Sequence, residues 1–260
     1  MVTASFRFYD GLGEFLPRAR RGREFSMSCA RAASVKHMIE ALGVPHTEVE
    51  LVLVNGASSG FEHLLRENDR VAVYPAFGLL DVRPLQRLRA WPPGPARFVA
   101  DAHLGGLARL LRMAGYDTLY ANHYHDDEIA RIAQQEGRVL LTRDRELLKR
   151  RTVELGCYLH AIDPAEQLRE LFARLRLGAA MRPFTLCLHC NLPLRPVAKA
   201  EVLARLPPRV AATHTAFTTC DACGRVYWKG SHHARMCAML EGVAAAPADV
   251  ELPPTPDSLA

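Results

Sequence analysis

Two groups of residues in this 260-residue chain are of kinds that do chemistry. The first is acidic. Asp101 ends the apolar run Phe98-Val99-Ala100, the cluster Asp126-Asp127-Glu128 follows Thr118-Leu119-Tyr120, and Asp144 follows Val139-Leu140-Leu141-Thr142. Carboxylates brought together repel one another, so some protonate or a cation neutralises them. Hard oxygen donors favour Mg²⁺ or Mn²⁺ over zinc. The chemistry that suits them is phosphodiester hydrolysis, with metal activating water and clamping the leaving oxygen. The second group is made of thiols. Cys187-x-x-Cys190 and Cys220-x-x-Cys223 stand 29 residues apart. Each pair turns two thiolates onto one cation, and two pairs close a tetrahedral, structural Zn²⁺ site. The intervening residues must fold out as an excursion.

The acids need elements to position them. Leu104, Leu107, Ala108 and Leu111 follow helical spacing, as do Ile129, Ile132 and Ala133. Short apolar strands alternating with such helices predict a parallel sheet wound by crossover helices. In those sheets the working crevice lies outside the carboxyl ends of the strands, and each strand here delivers a carboxylate to that edge. Asp is also the usual helix N-cap, and both Asp126 and Asp144 sit where a helix can start; three at successive strand ends can cap and still face one crevice. Residues 157–162 read as a fourth strand, and Asp163-Pro164 opens a helix whose stripe is Leu168, Leu171, Phe172 and Leu175. Asp163 carries a strong cap signature and is also at the same edge.

Basic residues flank the acids. Arg109 and Arg112 are three apart, on the face away from the leucines, where they form either a solvated surface or a phosphate clamp. Arg143 and Arg145, with Lys149, Arg150 and Arg151, surround Asp144; next to a phosphodiester they would hold backbone and make binding salt-sensitive. Gly105-Gly106 lacks the spacing of a dinucleotide-binding turn.

Before this region, residues 1–88 run strand, strand, helix, strand, strand, the order of a β-grasp module. Residues 89–97 (RAWPPGPAR) are a semi-rigid linker. The parallel-sheet domain takes 98–180, the zinc ribbon 181–241, and a disordered tail 242–260. Residues 181–241 hold 8 basic and 3 acidic side chains, which favours a polyanionic partner. Within them, Tyr227-Trp228-Lys229 places rings between cations, a pattern suited to single-stranded nucleic acid through base stacking and phosphate contact. Trp228 and Lys229 are therefore candidate nucleic-acid contacts beside Arg109, Arg112, Arg143 and Arg145.

No apolar run reaches eighteen residues, so no membrane span or membrane partner is expected. The first residues lack a secretory layout. Seven cysteines, four of them in C-x-x-C pairs, point to metal rather than disulfides, and so to the cytoplasm.

Three segments in order, VADAHLGGLARLLRMAGYDT, HDDEI and LLTRDREL, resemble the Mut-seven C-terminal RNase family, a branch of the PIN-like nucleases, over about residues 97–240. The resemblance implies metal-dependent RNA cleavage by Asp101, Asp126 and Asp144 holding Mg²⁺ or Mn²⁺, with Asp127 as a further candidate. The segments LVLVNG and L-x-x-x-D-R-V-A-V-Y-P resemble the sulfur-carrier proteins of thiamine and molybdopterin synthesis. Those carriers need a free terminal Gly-Gly, whereas this chain runs on from Pro75 to Leu79 and beyond, so interaction or scaffolding is expected instead. Two other readings stand beside the ribonuclease: an RNA-binding protein with an inert acidic edge, and an adaptor that recruits a protein partner through its β-grasp module.

Overall fold

The computed structural model describes residues 1–76, 87–89 and 92–245. Period-2 alternation builds the first sheet: in β1 (Val2–Phe8), Ala4, Phe6 and Phe8 point inward. β1 pairs antiparallel with β2 (Phe25–Cys29). Ser34 then caps α1 (Val35–Ala41), accepting a hydrogen bond from the His37 N–H at 3.2 Å, and Val35, Met38 and Ile39 face the sheet. β3 (Leu51–Val54) turns through Asn55 and Gly56, both at positive φ, into β4 (Ala57–Ser58), as a two-residue hairpin requires. β5 (Arg70–Tyr74) completes the order β2-β1-β5-β3-β4, with β1 and β5 parallel. The expected β-grasp module is present.

The central sheet has four parallel strands in the order β7-β6-β8-β9. They are β6 (Phe98–Ala100), β7 (Thr118–Tyr120), β8 (Val139–Thr142) and β9 (Gly156–Tyr158). Helices cover both faces. α2 (Gly105–Met113) and α5 (Pro164–Leu175) pack with Phe98 and Ala100 on one side. α3 (Asp126–Glu136) and α4 (Arg145–Leu148) pack with Val99 and Leu140 on the other. Burial on both faces explains why these strands read as unbroken apolar runs. The Gly105-Gly106 pair has a packing reason: a Cβ at Gly105 would stand 2.6 Å from the Tyr120 hydroxyl, and one at Gly106 2.6 Å from the Pro164 ring.

The excursion between the cysteine pairs holds β10 (Arg195–Val197), α6 (Lys199–Val202) and α7 (Pro208–Thr213). β11 (Phe217–Thr219) and β12 (Val226–Tyr227) close a three-stranded antiparallel ribbon, β10-β11-β12. The chain then returns. α8 (Ser231–Ala245) lays Leu240 and Val243 into the same core as α2 and α5. The helix therefore continues past residue 242, where the tail was expected to begin, because Met236, Met239, Leu240 and Val243 share a helical stripe that the central domain buries. The rest of the expected tail, 246–260, lies outside the described residues, as do residues 90 and 91 of the expected linker.

Both outer strands of the central sheet are closed by side chains. At β9, the Tyr158 N–H donates to Glu48 Oε1 of the β-grasp module at 2.7 Å. The Tyr158 carbonyl accepts from Arg174 at 2.6 Å, and Arg174 also pairs with Glu48 Oε2 at 2.6 Å. His46 Nε2 lies 2.8 Å from the Val153 carbonyl beside them. At β7, the Thr118 N–H donates to Asn191 Oδ1 at 2.9 Å and its carbonyl accepts from Arg112 Nε at 2.9 Å. Arg112 also donates to the Leu188 and His189 carbonyls of the first cysteine knuckle.

Glu48 is 5% exposed, so removing it leaves the Arg174 cation with only the longer, 3.7 Å contact to Glu170. Glu48→Ala is expected to destabilise the folded chain by about 3 kcal/mol, read as a lower urea midpoint; an unchanged midpoint would mean that the β-grasp module is not held through this pair.

Candidate functional site

The acids stand where the strand pattern puts them, on the carboxyl edge of three adjacent strands. Asp101 directly follows β6. Its Oδ1 accepts the Ala102 N–H at 2.6 Å and its Oδ2 accepts the Thr142 hydroxyl at 2.7 Å. That hydroxyl oxygen in turn accepts the Asp144 N–H at 2.9 Å. One threonine at the end of β8 thus holds the Asp101 carboxylate and the Asp144 backbone together. Asp144 also caps α4, its Oδ1 accepting the Glu146 N–H at 2.8 Å. Asp126 opens the first turn of α3, where His125 is the cap residue without a side-chain bond. Arg150 pairs with Asp126 at 3.3 Å and with Asp127. Asp163 is the two-bond cap of α5.

The three acids share an edge but do not meet. Among the described residues, the groups of three or more potential ligands whose donor atoms all lie within 4.8 Å of one another comprise the four cysteines alone. In donor chemistry the edge suits a hard divalent cation: Asp101 and Asp144 offer carboxylate oxygens with lone pairs left over after the bonds named above.

The cysteine site is gathered. Cys187 and Cys220 are buried, Cys190 and Cys223 half-buried. Cys187 Sγ and Cys223 Sγ are 3.7 Å apart, close to the roughly 3.8 Å edge of a tetrahedron with 2.3 Å Zn–S bonds. Second contacts support two of the thiolates, while burial and the neighbouring thiols push Cys190 up to about 12. Burial pushes the Cys187 thiol up, but the Tyr227 hydroxyl 3.2 Å away and the Cys190 N–H prevail and hold it low. Chiefly the Arg225 backbone N–H brings Cys223 down to about 6. These four residues could hold zinc, and the closed set assigns it a structural role. Cys157 is a core thiol that burial pushes up to about 12, unsuited to nucleophilic work.

The expected nucleic-acid contacts divide. Arg109 is exposed on α2, Arg143 is exposed directly before Asp144, and Lys229 is exposed on the ribbon. Trp228 is half-buried, one side against the Val202, Leu206 and Phe217 cluster. Two arginines go elsewhere. Arg112 is 5% exposed, its guanidinium spent on the carbonyls of Thr118, Leu188 and His189, so it joins the knuckle to the sheet rather than facing solvent. Arg145 lies over the Phe15 ring of the β-grasp module at 4.8 Å and over Tyr158 at 5.4 Å, a cation–π contact across the interface. Thr142 and Asn191 carried no assigned role in the sequence, and Arg150, read there as a backbone-holding cation, pairs with Asp126 and Asp127. Thr142 lay inside the motif already noted, and Asn191 directly follows the first knuckle.

Over residues 96–240 the chain matches the family model described as the Mut7-C RNAse domain, and over residues 1–81 the model described as Mut7-C ubiquitin. Among solved structures it is similar to the small archaeal modifier protein 1 of Haloferax volcanii in two crystal structures. Each is 17% identical with a TM-score of 0.24, covering 29% of this chain and 98% or 96% of the modifier. No curated protein matches the chain.

Cys220→Ser is expected to lose the bound zinc, measured by thiol-reagent release and a metal-sensitive dye. Because metal binding at such sites contributes on the order of 10 kcal/mol to folding, the variant should also unfold at markedly lower temperature. Full zinc retention would remove Cys220 from the site.

Proposed function

We propose, proceeding from the fact that this chain belongs to the family of the Mut7-C RNAse domain, that it hydrolyses RNA phosphodiester bonds at the edge where Asp101, Asp126 and Asp144 stand. The observation that carries this reading is the shared Thr142 hydroxyl, which couples Asp101 to the start of the Asp144 loop. Such coupling orients a carboxylate for a task beyond capping a helix. Asp101, Asp126 and Asp144 would hold Mg²⁺ or Mn²⁺, as in PIN-like nucleases. When bound, the divalent ion supplies an activated water and neutralises charge on the leaving oxygen.

The chain's own residues contribute the rest. Thr142 and the Ala102 N–H fix the rotamer of Asp101 before substrate arrives, which removes a reorganisation cost. Arg150 balances the paired charges of Asp126 and Asp127. Arg109 and Arg143 supply exposed cations that would position single-stranded RNA through its phosphates. The zinc ribbon adds a basic surface with half-buried rings. A protein partner would dock on the open face of the β-grasp sheet, where Arg7, Tyr9 and Tyr74 line a depression of about 410 Å³. Free knuckle thiols suit a reducing compartment such as the cytoplasm.

The rival reading, an RNA-binding protein that does not cut, is favoured by one fact: the acids share an edge without meeting. Labelled single-stranded RNA separates the two. With Mn²⁺ or Mg²⁺ the protein should cleave it, and Asp101→Asn should cut about a hundredfold more slowly or worse with an unchanged unfolding midpoint. Equal cleavage by the variant would move the chemistry away from Asp101. Tight binding without cleavage under either metal would favour the rival.

A further inference from the structure

Between the ribbon and the first half of α8 lies a cavity of about 670 Å³, within the roughly 300–1,000 Å³ range of small-ligand sites. Its walls include Phe184, Leu188, Tyr227, Trp228, His233 and Met236, and Lys229 stands on its rim. The Phe184 and His233 rings are 4.6 Å apart and tilted by 33°. None of the lining residues is acidic. Tyr227 ties the cavity to the zinc site, because its hydroxyl lies 3.2 Å from Cys187 Sγ. Tyr227 thus belongs both to the cavity wall and to the surroundings of the cysteine site.

The geometry points to a nucleobase-binding pocket: we infer that it takes one base of a single-stranded RNA, with the adjoining phosphate on Lys229. This rests on, and deepens, the reading of the chain as a ribonuclease. Three observations choose this occupant over an apolar peptide. The walls present flat rings, on which any base can stack. The rim is cationic and the surrounding residues 181–241 carry 8 basic against 3 acidic side chains, which complements a phosphate rather than a neutral peptide. The lining offers few polar groups, and the Tyr227 hydroxyl is already engaged by sulfur, so a base would be held by its faces with little reading of its edges. The pocket therefore accepts pyrimidines and purines alike, and it grips the strand away from the acidic edge.

Trp228 makes the inference testable, since Trp91 is the other tryptophan in the chain. Full-length Asp101→Asn protein carrying Trp91→Phe is titrated with a short RNA oligonucleotide, without added Mg²⁺ or Mn²⁺, while Trp228 emission is followed. Quenching by homopolymers of different bases is expected, with at least about tenfold weaker binding of an abasic oligonucleotide of equal charge. Trp228→Leu should weaken RNA binding by a similar factor, measured by anisotropy. His233→Ala serves in its place if that variant fails to retain zinc.

Equal binding and equal quenching by the abasic strand would overturn the pocket, as would RNA binding that leaves Trp228 emission unchanged. Quenching by an uncharged apolar peptide but not by RNA would assign the cavity to a protein partner and also overturn it. The ribonuclease reading fails separately: base-dependent quenching in a protein whose Asp101 form never cuts RNA would keep the pocket and discard the enzyme.

Discussion

A four-stranded parallel sheet has two open edges, and each flanking module contributes side chains where one of those edges must be closed. An unpaired outer strand exposes backbone donors and acceptors that invite association with another chain. Here the solution is the same on both sides. An arginine in the last turn of a helix donates to an edge carbonyl: Arg112 of α2 at Thr118, and Arg174 of α5 at Tyr158. A side chain from the flanking module accepts the N–H of the same edge residue, Asn191 at Thr118 and Glu48 at Tyr158. Both cations sit at a helix C-terminus, where the peptide dipoles favour positive charge. Arginine suits the position because its planar fork can meet several acceptors in different directions at once.

This arrangement makes the flanking modules part of the central fold. The zinc knuckle is connected to the sheet through Arg112, and the β-grasp module through Glu48, His46 and the aromatic contact of Phe15 with Tyr158 at 5.3 Å. A freely tethered recruiting domain would not bury a carboxylate and an imidazole against its neighbour. Burying such groups is costly unless each is paired, and each is: Glu48 meets Arg174, and His46 meets Glu40 at 2.7 Å. The linker joins in, with Arg89 bound to Glu50 and the His46 carbonyl.

What could be read in advance follows from the range of the forces. Local signals worked because their partners are local: Asp163 as a cap, short apolar runs as strands, and two cysteine pairs as one site. The helix pattern of α2 also held, yet its solvent face was misjudged. A leucine stripe implies that everything opposite it is wet, but Arg112 meets carbonyls from residues 188 and 189, more than seventy positions away, and no local window contains them. The contact of Arg145 with Phe15 was illegible for the same reason, the aromatic partner lying in another module. α8 is the instructive exception. Its stripe of Met236, Met239, Leu240 and Val243 was present in the chain, disguised by histidines before it and alanines after it.

The same edge closures leave the two sides of the carboxyl edge unequal. Phe15, Tyr158 and Arg145 pack together beside β9, and His160 joins them, its ring 4.8 Å from Tyr158 and bonded to Glu14 and Glu170. That side of the carboxyl edge is filled by protein. On the α2 and β7 side, Arg109 is exposed and the ribbon begins. The β-grasp module forms a wall on the β9 side. Its docking through buried pairs is what such a fixed wall requires, because a wall that swung away would leave Glu48 and Arg174 without each other.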